Sequence, residues 1–174
     1  MSPIQALADR PVLWILALVA VQRLGELWLA RTNAERLIAH GAREVGAAHY
    51  PLFIALHSSW IVAILLTTPW LSQPNWPLIG VFALMQFARF WVVASLGPYW
   101  TTRIITVDAA PLVRRGPYRW VRHPNYWVVS IEILVLPLAF GNWPVAALWT
   151  VLNALLLRHR IRIEEGALAE RRAS

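Results

Sequence analysis

An all-α integral membrane protein of about five helices is the architecture this sequence predicts, and three observations carry it. Hydrophobic residues make up 58% of the 174 and charged residues only 14%, whereas an average soluble domain is about a quarter charged. Apolar runs close to the ~20 residues that cross a bilayer occupy most of the length. The arginines, which supply every basic charge, gather in some connections and are missing from others. The length fits one membrane domain, residues 1–174, without a separate soluble one.

The first span covers residues 12–29. Its apolar run continues through Leu24, Leu27, Trp28 and Leu29, beyond the small residues around Ala17 to Ala20, so it reads as a span and not as a cleaved signal peptide. The second and third spans fall at residues 50–69 and 77–96, joined by the uncharged connection Trp70 to Trp76. The fourth and fifth, residues 126–140 and 143–157, flank Gly141-Asn142, and the Pro137, Gly141, Pro144 pattern predicts a tight turn between them. At ~1.5 Å per residue these two cover only about 20–23 Å. They must extend into their flanks, thin the bilayer or stop short of crossing it.

Arginine placement orients the chain. Arg31, Arg36 and Arg43 follow the first span, Arg103, Arg114, Arg115, Arg119 and Arg122 the third, and Arg158, Arg160, Arg162, Arg171 and Arg172 the last. Because cytoplasmic connections hold the excess of basic residues, the N-terminus is expected outside and the C-terminus in the cytoplasm, in agreement with an odd number of spans. The net charge of +7 does not point to nucleic acid, since these arginines sit beside Trp and Tyr in membrane-flanking loops, as headgroup contacts do. The chain has no cysteine, which excludes disulfides, thiolate metal sites and a thiol nucleophile. No metal is expected.

Ionisable groups inside spans are costly and call for a reason. Arg23 and Glu26 are three apart on one helical face and can pair; Arg89 in the third span and Glu132 in the fourth can form a second pair between helices. Each pair reads equally as a structural contact or as part of a substrate pocket. His57, in the second span, is either a hydrogen-bonded packing residue or a base beside a lipid pocket. The connection from Gly97 to His123 is too long for a turn and too apolar for a disordered linker. Its stretch from Trp100 to Val107 is rich in β-branched residues and should be extended, and Gly116-Pro117-Tyr118 should turn.

The strongest concentration of polar chemistry is Arg122-His123-Pro124-Asn125-Tyr126, at the mouth of the last hairpin, with Glu164-Glu165 beyond it. If the hairpin closes, both carboxylates return to the level of His123. A basic, aromatic and acidic cluster at the membrane surface suits a small charged cofactor whose reaction partner is a lipid.

Gly116-Pro117-Tyr118, Arg122-His123-Pro124-Asn125-Tyr126 and Glu164-Glu165-Gly166-Ala167-Leu168 resemble the C-terminal signature of the isoprenylcysteine carboxyl methyltransferase superfamily. The order of these pieces around a hydrophobic hairpin is more specific than any one of them. Val128 departs from the pattern, which usually has glycine there. A narrower resemblance involves Gly41-Ala42-Arg43-Glu44, His49-Tyr50-Pro51, Leu56-His57, Tyr99-Trp100-Thr101-Thr102-Arg103-Ile104-Ile105 and Pro124-Asn125-Tyr126. These are similar to the bacterial branch that methylates alkylpyrones and alkylresorcinols made by type III polyketide synthases. The resemblance implies S-adenosylmethionine as cofactor, an O-methylated phenolic or pyrone lipid as product, a place in the bacterial inner membrane, and a type III polyketide synthase as a partner that supplies substrate.

The residues suit that cofactor. Its carboxylate calls for cationic donors, which Arg122 and His123 provide, and its ribose diol and ammonium call for acceptors, which Glu164 and Glu165 provide. Tyr118 and Tyr126 can hydrogen-bond it or lie against its sulfonium; Pro124 belongs to the same motif, and Asn153 is a further polar candidate on the last helix. A phenol has a pKa near ~10, so a phenolic acceptor needs a base or a cationic neighbour. His57, His49 and Glu26 are the candidate bases, and Arg103 the candidate stabiliser of a phenolate. The acceptor itself stays open between a phenolic lipid, a prenylated carboxylate and an amine headgroup. A non-catalytic scaffold or small transporter is the alternative of another class.

Overall fold

Why the chain folds as it does is clearest at the helix starts, each of which carries a proline in its first turn, where a fixed φ helps and the missing N–H costs nothing. In the computed structural model, which describes residues 10–106 and 113–173, the helices are α1 Pro11–Ala39, α2 Tyr50–Thr67, α3 Trp76–Leu96, α4 Pro124–Ala139 and α5 Trp143–Ala173. Asn75 caps α3 by accepting from the Leu78 amide at 3.3 Å. Gly141, at φ 71°, makes the turn between α4 and α5, a left-handed conformation that favours glycine. By length and composition α1, α2 with its preceding turn, and α3 can each cross a membrane, and α4 is a shorter apolar helix.

α4 is the hub of the bundle. It buries Val129, Glu132, Ile133, Leu136 and Ala139, and Ile133 and Leu136 share a core with Val12, Trp60, Ile64 and Phe82 of α1, α2 and α3. The Trp60 indole donates to the Ile133 carbonyl at 3.2 Å. Outward faces are apolar instead of polar: Leu18, Val21, Leu24 and Trp28 of α1 and Leu84, Phe87 and Phe90 of α3 are exposed. Such a surface has its proper solvent in lipid.

Two helices overrun their expected spans. α1 continues ten residues past Leu29 to Ala39, and α5 continues past Leu157 through the whole basic and acidic segment to Ala173. Apolar runs end where lipid ends, but Arg, Glu, Ala and Leu are good helix formers and carry the helix on. The expected C-terminal tail is therefore the end of α5. At ~1.5 Å per residue α5 is about 46 Å long, and its apolar part, residues 143–157, accounts for about 22 Å of that.

Extended structure occurs where the β-branched run predicts it, in a shorter form. β2, Ile104–Thr106, pairs antiparallel with β1, Arg43–Val45, in the register Arg43 with Thr106 and Val45 with Ile104. Val107 lies outside the described residues. Gly116–Arg119 form a single 3-10 turn. Gly116 has φ 57°, and a Cβ there would stand 2.0 Å from Ser95 Oγ, so conformation and space both call for glycine.

Candidate functional site

The hairpin closes and brings the two ends of the polar motif together. α4 begins at Pro124, directly after Arg122-His123, and α5 returns Glu164 to the same level. The Tyr126 hydroxyl donates to the Glu164 carboxylate and accepts from Arg160 Nε at 2.7 Å. Arg160 is buried, lies 5.0 Å over the Phe53 ring and donates from Nη2 to the Thr102 carbonyl at 2.8 Å. One guanidinium thus ties α5 to α4, to α2 and to the strand connection. His123 stacks on Tyr126 with ring centroids 5.2 Å apart; its Nδ1 is 3.7 Å from Glu164 and its Nε2 3.7 Å from Glu165.

Below this junction a cavity of ≈ 880 Å³ runs down between the helices. Its upper end is lined by Tyr118, Arg122, His123, Pro124, Tyr126, Arg160 and Glu164, its roof by Thr101 to Ile105, and its lower part by Arg23, Glu26, His57 and Arg89. The roof is held in place: Asn33 Nδ2 donates to the Trp100 carbonyl at 2.9 Å, Arg103 pairs with Glu44 across the β1–β2 ribbon at 3.1 Å, and Tyr50 and Thr102 hydroxyls are 3.1 Å apart. Burial, with the Glu164 charge adding to it, pushes the Tyr118 phenol well above its ordinary pKa. It remains a hydroxyl donor at any physiological pH.

The lower cavity is floored by an ion network in which both expected pairs form and cross-link. Arg23 reaches Glu26 at 3.2 Å and Glu132 at 2.7 Å; Arg89 reaches Glu26 at 3.1 Å and holds Glu132 with two hydrogen bonds, one of 2.9 Å from Nε. Gln22 and Gln86 add amide donors to Glu26 and Glu132. Two guanidiniums thus balance two carboxylates across α1, α3 and α4. One turn below Phe53, His57 Nδ1 lies 2.8 Å from the Phe53 carbonyl. A carbonyl only accepts, so Nδ1 carries the proton and Nε2 of the neutral ring keeps a lone pair.

Four of the sequence candidates fall elsewhere or act differently. His49 packs edge-on between Phe53 and His159, outside the cavity lining, because it precedes α2 and turns toward α5. Asn153 donates to Ser130 at 3.1 Å across the α4–α5 contact and does not line the cavity. Glu165 follows Glu164 by about 100° around the helix, so only Glu164 faces inward, and Glu165 lies on the rim 3.9 Å from Arg122. Glu26 does line the cavity, but as an acceptor for both arginines. Val128 packs behind the lining residue Trp100, with Ala30 and Val92, and does not itself line the cavity.

Arg160 escaped the sequence reading, which took the arginines after the last span as topology signals. Its position four residues before Glu164, hence on the same helical face, is the signal that identifies it.

The described residues contain no group of His, Asp and Glu suited to a metal ion. They do contain unmet hydrogen-bonding capacity at the upper end of the cavity: His123 Nε2 and Asn125 Oδ1 are buried without a hydrogen-bond partner. A bound polar molecule with both donors and acceptors satisfies such atoms.

Among known proteins, the chain is 39% identical over 162 residues to the uncharacterized protein YpbQ of Bacillus subtilis, covering 90% of this chain and 96% of that one. An uncharacterized protein of Haemophilus influenzae is 28% identical over 159 residues, covering 88% and 92%. No solved structure matches significantly. The model of the isoprenylcysteine carboxyl methyltransferase (ICMT) family matches residues 78–170, a stretch that runs from the start of α3 through Glu164. Since that match takes in more than half of the chain and the whole α4–α5 junction, the protein belongs to the isoprenylcysteine carboxyl methyltransferase family of membrane methyltransferases.

Proposed function

We propose that this protein is an S-adenosylmethionine-dependent O-methyltransferase of the bacterial inner membrane, with its cofactor end facing the cytoplasm and the N-terminus outside. Its acceptor is the phenolic or enolic hydroxyl of a single-chain lipid such as an alkylresorcinol or alkylpyrone, the products of a type III polyketide synthase. One observation supports this reading most: a single cavity joins a charged, aromatic end to a lower part that is apolar on one side and carries a base. Leu24, Ile54 and Val62 line that side and are also exposed on the outer face of α1 and α2. An alkyl chain can therefore lie between those helices while its head stays inside.

The cofactor fits the upper end on the chemistry of the donor set. Arg122 and His123 Nε2, which makes no hydrogen bond, suit its carboxylate, Glu164 suits its diol or ammonium, and the Tyr118 and Tyr126 rings suit a sulfonium. When bound, it supplies an electrophilic methyl group. The protein's share is alignment and a proton acceptor. Of the candidate bases, His57 is the cavity-lining imidazole with an open lone pair, and it accepts the proton of the hydroxyl that is to be methylated. The roof residue Arg103 lines the same cavity and is the candidate stabiliser of a developing phenolate.

The family's name points to a second acceptor, a prenylcysteine carboxylate, and an assay separates the two. Purified protein is incubated with radiolabelled S-adenosylmethionine and either an alkylresorcinol, an alkylpyrone or a farnesylcysteine analogue, from mildly acid to mildly alkaline pH. A phenolic acceptor gives extractable label at a rate that rises with pH, because only the ionised oxygen attacks well, and His57→Ala removes that label while cofactor binding persists. Label on the farnesylcysteine analogue alone, at a pH-independent rate, refutes the proposal.

A further inference from the structure

We propose that the Arg23–Glu26 pair on the cavity floor is a second recognition subsite, which holds a neutral, non-reacting oxygen of a ring bearing two oxygens and one alkyl chain. This deepens the phenolic-lipid reading and rests on it.

The four ions of the network are not equivalent. Arg89 and Glu132 are sealed, with side chains 4% and 0% exposed, whereas Arg23 and Glu26 keep 13% and 15%. The sealed pair already staples α3 to α4, and only its Arg89 touches the cavity, whereas Arg23 and Glu26 both line it and keep the greater exposure. The network also has an unused donor, since Arg23 Nε is buried without a hydrogen-bond partner.

Charge decides which ligand suits the floor. With two guanidiniums balancing two carboxylates, the network needs no counter-ion, and at bilayer depth an added unpaired charge is costly. A substrate carboxylate would meet Glu26 as a like charge. A hydroxyl offers one donor for Glu26 and lone pairs for Arg23, so it satisfies both partners without adding charge.

Position decides the shape of the ligand. Glu132 lies six residues beyond Tyr126 on α4, about 9 Å deeper along the helix, and His57 lies between those levels, one turn below Phe53. The apolar seam of Leu24, Ile54 and Val62 opens sideways. The lining therefore offers a ring held in the cavity three directions: toward the cofactor end past His57, toward Arg23–Glu26 on the floor, and toward lipid through the apolar seam. A six-membered ring with two oxygens and one chain on alternate carbons points one substituent to each.

The test compares three acceptors on the full-length protein: a 5-alkylresorcinol, the 3-alkylphenol that lacks the second hydroxyl, and a 3-hydroxy-5-alkylbenzoate that puts a carboxylate in its place. A site built around a hydroxyl rejects the analogue lacking it, because its buried polar groups are left unpaired. We expect kcat/KM for the phenol to fall at least ~10-fold below the resorcinol, with the benzoate lower still. In Glu26→Gln the resorcinol-to-phenol ratio should drop toward one, while S-adenosylhomocysteine affinity is retained as the check on folding. Equal kcat/KM for resorcinol and phenol in the wild type overturns the subsite and leaves the phenolic reading standing. Turnover of neither ring overturns both. If Glu26→Gln does not fold, the wild-type comparison still decides.

Discussion

Removing the charge of Glu132 should be among the most damaging single changes available in this chain. Its carboxylate is fully buried in the bundle and accepts from Arg23 Nη2 at 2.7 Å, Arg89 Nε at 2.9 Å, Gln86 Nε2 at 2.9 Å and Arg89 Nη2. Glu132→Gln keeps the shape, but it turns one acceptor into an NH2 group facing guanidiniums and leaves two arginines against the single carboxylate of Glu26. Removing one partner of a buried pair costs ~3–5 kcal/mol. For a chain of ~150–250 residues each kcal/mol moves Tm by ~2–4 °C, so a fall of about 6–20 °C is expected. The assay is thermal unfolding of detergent-purified protein by tryptophan fluorescence. Glu35→Gln, which breaks the exposed Arg31–Glu35 pair, provides the control and should leave Tm unchanged. Equal Tm for the two variants would refute the network as a structural device. A finer check is Arg89→Met with Glu132→Leu, which removes a matched pair and leaves Arg23 with Glu26; it should lose less than Glu132→Gln alone.

Three further outcomes follow from the geometry. Tyr126→Phe keeps the ring against His123 but takes away the hydroxyl between Arg160 and Glu164; at ~1.5–3 kcal/mol for a charge-assisted bond, S-adenosylhomocysteine affinity by calorimetry should fall about 10- to 150-fold, and unchanged affinity would count against Glu164 as a cofactor ligand. Gly116→Ala forces a Cβ against Ser95 at positive φ, so it should lower Tm by the equivalent of ~1–3 kcal/mol and weaken cofactor binding through Tyr118; a wild-type Tm would contradict the packing. Because the chain has no cysteine, single Gln73→Cys and Arg119→Cys variants report topology with an impermeant thiol reagent on intact cells. The first should label and the second should not, and the reverse would invert the orientation.

What the sequence made legible was set by hydropathy and by spacing along single helices. The membrane class, the hairpin at Gly141 and the return of Glu164 to His123 all depend on runs and turns that local chemistry dictates. The Arg23–Glu26 and Arg89–Glu132 pairs were readable because ions in apolar helices need partners, but their cross-linking depends on how α1 packs against α3 and α4, which spacing along one helix does not contain. Arg160 was obscured by four neighbouring arginines, and β1 by its length of three residues, too short to show alternation. His49 and Asn153 are plausible by residue type, but His49 sits in the turn before α2 and packs toward His159, and Asn153 faces Ser130 on α4.

The cavity is shared unequally between two parts of the chain. The family match begins at residue 78, yet Arg23, Glu26 and Leu24 come from α1, Ile54, His57 and Val62 from α2, and β2 completes its hydrogen bonding with β1 from before that boundary. The matched stretch thus frames one end of a chamber whose other walls are supplied by segments that precede it. Such a chamber cannot be divided at that boundary: Arg160 lies over Phe53 of α2 and Glu132 is held by Arg23 of α1, so a change in either early helix reaches both ends of the cavity.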